Sequence, residues 1–275
     1  MKKFLLQNVL IAVLFFASIP ACTHEKQSPK LLSKDLTETT PLEKTDNEFW
    51  DLSDVDVSKI DTTRKLISFT FDDAPSKTLE NIFAVFADFN ERYPDCPASA
   101  TVFFNGGRFH EHTPHLLHTA LTLGFELGNH THHHLDLTSL DEQTLRHEID
   151  ATDELLCQAD GKPRHLLRAP YGKTNELVKS VADVPLLSWN IDTLDWTGAD
   201  AQRIYESVTE RLSDGAIVLM HDGYPQTVDA LKRLLPDLYG QGYQVVSLSQ
   251  LAKAHDCAMR KGGEYIRLRK QKKDG

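Results

Sequence analysis

The sequence predicts an α/β fold, a barrel of about seven parallel strands with helices outside it, on three observations. From Lys65 onward, short apolar runs alternate with longer amphipathic ones. The longer runs repeat apolar residues at helical spacing, as in Leu79, Ile82, Phe83, Phe86 and Phe89. Residues able to carry chemistry fall at the carboxyl ends of the short runs, the rim on which barrel enzymes assemble their sites from loops. A doubly wound open sheet is the competing arrangement.

Taken in order, the chain of 275 residues opens with Lys2 and Lys3, an apolar run from Val9 to Ile19, and Ala21 just before Cys22. This is the layout of an export signal, and the run is short for a membrane span. Ile19-Pro20-Ala21-Cys22 resembles a bacterial lipobox, with Pro20 unusual in its place, so residues 1–22 are expected to be a signal ending in a lipidated Cys22. The protein is then expected in the cell envelope, membrane-anchored in the periplasm or at the cell surface. Residues 23–60 are polar, carry Pro29 and Pro41, and read as a linker, in which Phe49, Trp50 and Leu52 either dock onto the domain or form an exposed apolar spot.

The folded domain is expected over residues 61–256, with strands near 65–71, 99–104, 125–128, 165–168, 185–189, 215–220 and 243–246. Helices fill the intervals: Leu145, Ile149, Leu155 and Leu156 mark one, Ile204, Val208 and Leu212 another, and Asp141 and Asp200 are candidate N-caps. Residues 257–275 hold Arg260, Lys261, Arg267, Arg269, Lys270, Lys272 and Lys273 and read as a solvated basic tail, with an interrupted strand at Tyr265 to Leu268 as the alternative. If Cys22 carries lipid, Cys96, Cys157 and Cys257 remain; Cys157 reads as a buried thiol, and a Cys96–Cys257 bridge is open. The formal net charge of −10 argues against a nucleic-acid partner and is silent on a neutral sugar.

The first strand, Ile67 to Asp73, ends in two adjacent carboxylates, so one could hold a cation while the other moves protons. His130 and His134, four apart in NHTHHH, can aim at one point, and an Asp-His-His set suits zinc and its neighbours with a position left for water. Spacing alone leaves His132 and His133 as competing imidazoles. His110, His112, His115 and His118 invite a second-metal reading, but a solvated loop and helix face is the expectation there.

TFDD, the His130 and His134 pair, RAPYG at Arg168 to Gly172, DTLDW at Asp192 to Trp196 and LMH at Leu219 to His221 together resemble the five ordered motifs of the NodB-homology polysaccharide deacetylases, the fourth carbohydrate esterase family. The resemblance covers roughly residues 64–255. It implies a distorted, incomplete β/α barrel that removes N- or O-acetyl groups from polysaccharides with a divalent metal, zinc first, cobalt or another ion also possible. It implies Asp73, His130 and His134 as metal ligands, Asp72 as general base, Arg168 as the base's partner, and Tyr171 as the oxyanion's backbone donor. His221 would be the general acid oriented by Asp195, with Trp196 and Leu219 against the acetyl methyl or a sugar face; Asp192 has no assigned role. Ala74 departs from the family's usual glycine and Leu135 from its proline.

The expected function is therefore metal-dependent N-deacetylation of an amino-sugar polysaccharide such as peptidoglycan or a chitin-like chain, by a monomer. The alternatives are an O-acetyl esterase on xylan and a non-catalytic carbohydrate-binding barrel. A zinc peptidase is disfavoured because the imidazole pair lacks the glutamate of HExxH.

Overall fold

The computed structural model describes residues 48–269. The expected signal, Cys22 and most of the expected linker lie outside the described residues.

The central strand, β1 (Lys65–Ala74), is buried almost throughout because it is paired on both edges. On one edge, β6 (Ala216–His221) runs parallel from Ile67↔Ala216 to Asp72↔His221. On the other, β7 (Tyr243–Val245) pairs its beginning and β2 (Thr101–Phe104) its end, both parallel. β3 (Glu126–Asn129) continues beyond β2, and β5 (Ile191–Asp192) beyond β6. Side chains alternate along β1. Ile67, Phe69 and Phe71 belong to the main apolar cluster, with Phe83 and Phe86 of α1 (Leu79–Arg92) and Leu231, Leu234 and Leu238 of α6 (Pro225–Gly240). A second cluster collects Leu66, Phe103, Leu187, Ile217 and Leu268.

The ring closes by single bridges rather than full ladders. Leu167 pairs in parallel with Asn129 at the end of β3 and with Leu186 of β4 (Leu186–Leu187), so the strand expected at 165–168 is reduced to one residue of pairing. β4 pairs with β8 (Glu264–Tyr265), and Arg267 then bridges to Ala216 of β6. The strand predicted at 185–189 is reduced to β4, and a further short strand that was not predicted, β5, follows after Ser188–Asn190. This is a barrel-like arrangement of mostly parallel strands, distorted as the family resemblance implies.

Part of the expected basic tail differs. Cys257, Met259 and Leu268 are buried in the second cluster, and the Leu268 N–H donates to Gly215 O at 3.0 Å. Apolar residues between the cationic ones give this segment a face to bury, so it serves as a closing element of the barrel; residues 270–275 lie outside the description. Trp50 and Leu52 pack on the same cluster, whereas Phe49 stays exposed. Asp141 and Asp200 cap their helices as predicted, α3 (Glu142–Asp160) through Thr144 N and α5 (Ala201–Thr209) through Arg203 N. Cys96, Cys157 and Cys257 are free thiols, and Cys157, expected to be buried, is only half-buried. Among the described residues no helix is long and apolar enough to cross a membrane.

Candidate active site and metal centre

Two adjacent acids cannot both face one side of a regular strand. Here the pairing of β1 with β2 slips between Phe71 and Ala74: Phe71 faces Val102 while Ala74 faces Phe104, which leaves an extra residue on β1. Asp73 takes a positive φ of 68°, and both carboxylates come to the carboxyl-end mouth. Aspartate tolerates that region better than most residues. Ala74, where a glycine would be usual, is not the residue that carries the positive φ.

The loop after β3 brings His130 and His134 to Asp73. His134 Nε2 lies 3.4 Å and His130 Nε2 3.8 Å from Asp73 Oδ1. His130 is buried, and its Nδ1 sits 2.7 Å from the Arg168 carbonyl. A carbonyl only accepts, so Nδ1 carries the proton and Nε2 presents its lone pair to the cluster. Burial and the neighbouring His130 outweigh Asp73 and hold the His134 imidazole below its ordinary pKa, toward the neutral form that binds metals. Asp73 Oδ1 is buried and has no hydrogen-bond partner. An orphaned carboxylate oxygen facing two imidazoles is costly by itself and fits a divalent first-row ion.

The neighbouring imidazoles go elsewhere. His133 Nδ1 pairs with the buried Glu148 at 2.7 Å, and His132 packs beside Thr152 under Gly106. Glu148, a residue of α3 that spacing within the run could not reveal, draws His133 away, and the ligand atoms grouped with that of Asp73 are those of His130 and His134.

Asp72 is 3% exposed. Burial pushes its carboxyl up, but Arg168, then His130 and His221, outweigh this and hold it below the ordinary carboxylate value. Arg168, itself 1% exposed, donates from Nη1 to Asp72 Oδ1 at 2.8 Å and to Thr70 Oγ1 at 2.6 Å, from Nε to Leu187 O at 2.8 Å, and from Nη2 to Ser188 O at 3.0 Å. Its guanidinium lies 4.3 Å from the centre of the Phe103 ring. Burial lowers its pKa, yet a guanidinium starts so high that it stays charged.

His221 stands opposite Asp72 across the β1–β6 ladder. Its Nδ1 is 2.8 Å from Asp195 Oδ1, while Asp195 Oδ2 accepts from His221 N at 2.8 Å and Thr227 Oγ1 at 2.7 Å. The Asp195 carboxylate is wholly buried, so Nδ1–H donates to it and Nε2 is left to face the mouth. Burial works against the charged imidazole, but the Asp195 hydrogen bond and the nearby Asp72 prevail and raise its pKa.

Around these groups the rim exposes aromatic surface: Tyr171 is 63% exposed and Trp196 53%. Tyr171 has φ 61° inside the turn Pro170–Gly172, and its ring stands 4.8 Å from that of His134. Leu219 is buried, two residues before His221 on β6, so it lies beneath the site rather than on an open wall. Asp192 accepts from Leu194 N at 2.9 Å and shapes the turn in which Leu194 takes φ 55°, a structural task.

Sequence reasoning missed several participants. Arg108 Nη1 donates to Asp73 O at 2.7 Å, and Asp222 N donates to Asp72 O at 2.8 Å while its carboxylate gathers Ser76 and Thr78. Asn129 is held by Asp153 and Ile149 O through Nδ2 and fixes Thr131 N through Oδ1, so it shapes the histidine loop. Behind it, Asp153 takes His165 Nδ1 at 2.9 Å. The places of Asn129 beside His130 and of Asp222 beside His221 were usable signals; Arg108 and Asp153 were not marked in any local pattern.

The polysaccharide deacetylase family profile matches residues 59–184. Over 192 residues the chain is 32% identical to the peptidoglycan-N-acetylmuramic acid deacetylase PdaC of Bacillus subtilis (strain 168), covering 70% of this chain and 40% of that protein. It is 33% identical over 201 residues to a peptidoglycan-N-acetylglucosamine deacetylase of Bacillus cereus, covering 70% of this chain and 91% of the relative. A solved structure described as T48 deacetylase with substrate superposes with a TM-score of 0.68 at 30% identity, over 75% of this chain and 99% of that one. The chain therefore spans two fifths of PdaC but nearly all of the shorter relatives.

Proposed function

This chain belongs to the polysaccharide deacetylase family, and we propose that it is a metal-dependent hydrolase removing N-acetyl groups from an amino-sugar polysaccharide of the cell envelope, peptidoglycan before a chitin-like chain. The observation that carries this reading is the buried, partnerless Asp73 Oδ1 facing His130 Nε2 and His134 Nε2, with a guanidinium-held carboxylate and a carboxylate-held imidazole on either side. The names of both peptidoglycan deacetylases support the substrate class.

Asp73, His130 and His134 would hold the ion. A divalent ion of this kind, zinc or cobalt, supplies Lewis acidity that makes water a nucleophile near neutral pH and polarises an acetyl carbonyl. The chain's own groups divide the proton work. Asp72, kept ionised by Arg168, takes the proton of the attacking water; His221, kept protonated and oriented by Asp195, gives one to the departing amine. The Tyr171 backbone N–H would meet the charge that develops on the carbonyl oxygen. Trp196 offers a face for the sugar or acetyl methyl, with Leu219 at the floor. Export with a lipid on Cys22 would put a monomer of this enzyme beside its polymer.

The test is acetate release by the mature protein from peptidoglycan, chitooligosaccharide and acetylated xylan, before and after chelation and after zinc is restored. The expected result is release from the amino-sugar polymers, abolished by chelation and recovered with zinc. Release from xylan alone would reassign the substrate, and no metal-dependent release from any of the three would overturn the reading.

A further inference from the structure

The histidines after β2 lead one to expect a solvated surface, but the fold adds a carboxylate to them from another element. Glu80, in the first turn of α1, has its Oε1 2.9 Å from His112 Nε2. His115 lies three residues on, in α2 (Thr113–Thr122), with its ring centre 5.1 Å from that of His112. One ligand atom from each of the three residues lies within 4.8 Å of the other two. Among the described residues this is the only such grouping besides Asp73, His130 and His134, and the two share no residue.

We infer that Glu80, His112 and His115 form a second divalent-metal site, structural in role, that clamps the beginning of α2 to the beginning of α1. Two imidazoles and one carboxylate are the donor set preferred by zinc and its first-row neighbours, and three protein ligands leave a position that water can fill at an exposed site. The i, i+3 spacing sets both imidazoles on one face of the helix start. Both helices point their amino ends here, an arrangement that disfavours a bare cation, so binding depends on the negative charge of Glu80. His110 does not complete the set through Nδ1, which accepts from His112 N at 3.3 Å.

The consequence falls on the rim. The segment from Asn105 to Glu111 joins β2 to this clamp, is tied at its start by Asn105 N to Ala74 O at 2.7 Å, and carries the Arg108 that donates to Asp73 O. Holding its far end fixes the approach of Arg108 without touching the acids and imidazoles that would do the chemistry.

The test is zinc stoichiometry on the mature protein by competition with a chromophoric chelator, comparing wild type with Glu80→Gln and with the double variant H112N/H115N. Both change only exposed side chains and leave the other triad intact, and H118N, further along α2, serves as the control. Two equivalents in wild type and in H118N, falling to one in both Glu80→Gln and the double variant, is the expected result. One equivalent in wild type that disappears in the double variant still supports this site and counts instead against the catalytic one. An equivalent count that is the same in wild type and the double variant overturns the inference.

Discussion

Replacing Arg168 by methionine isolates what a buried guanidinium does for Asp72. The side chain leaves, and with it donors to Asp72, Thr70 and the Leu187 carbonyl in a buried setting and to the partly buried Ser188 carbonyl. Removing one partner of a buried ion pair typically costs about 3–5 kcal/mol, because the other charge stays behind unpaired. At about 2–4 °C per kcal/mol for a domain of this size, R168M should melt about 6–20 °C below wild type. Part of that penalty is relieved when Asp72 binds a proton. Without Arg168, burial is opposed only by His130 and His221, so the Asp72 pKa rises. The assay is kcat/KM for acetate release against pH with zinc saturating, alongside thermal melts at each pH. The acidic limb of the profile should move upward in R168M, and the double variant R168M/D72L, which leaves no charge behind, should regain part of the lost stability. An acidic limb that stays in place in a folded R168M, or a double variant less stable than the single one, would refute the reasoning.

Asp195→Asn should lower the alkaline limb of the same profile and cut kcat by about a hundredfold or more, since the amide neither holds the His221 proton nor enforces its tautomer; an unmoved limb would show that His221 is not the titrating acid. Gly128→Ala would place a Cβ 2.6 Å from Cδ1 of Phe103, and overpacking of this kind costs about 1–3 kcal/mol. Phe103 also lies under Arg168, so the melting temperature should fall together with kcat, and a wild-type melt would mean the strand relaxes freely. His165 is buried, and although burial works against its charge, Asp153 and Asp160 raise its folded pKa. Its contribution to stability is therefore complete below the unfolded value of about 6.5 and is lost as pH rises through the folded one. Denaturant melts of His165→Gln between about pH 5.5 and pH 9 should show a shallower alkaline decline than wild type, and parallel curves would remove His165 as the source.

What could be read in advance was whatever is written contiguously. A strand that ends in Asp72 and Asp73, an arginine opening RAPYG and a histidine closing an apolar run each carry their context with them, and the α/β alternation follows from periodicity alone. The barrel's closure was harder to read, because Leu167 pairs at one position and the last strand, foreseen only as an alternative to a solvated tail, lies among the cationic residues around Tyr265 and Leu268. The supporting groups were equally silent. Thr227 reaches Asp195 from 32 residues away, Glu148 takes His133 from 15, and Glu80 meets His112 across 32. Their spacing carries no period, so only the packed chain brings them together.

The extra residue in β1 has an outcome that composition cannot supply. In an evenly pleated strand, whichever acid faced the cavity would turn its neighbour toward the greasy helix layer, and a single carboxylate would have to serve as both anchor and proton acceptor. The slip at Phe71–Ala74 lets identical side chains occupy different stations, one beside a guanidinium and the other beside two imidazoles. The division of labour proposed for Asp72 and Asp73 would thus be a property of the backbone, and deleting one residue there should remove both proposed functions at once while leaving an aspartate in the same stretch.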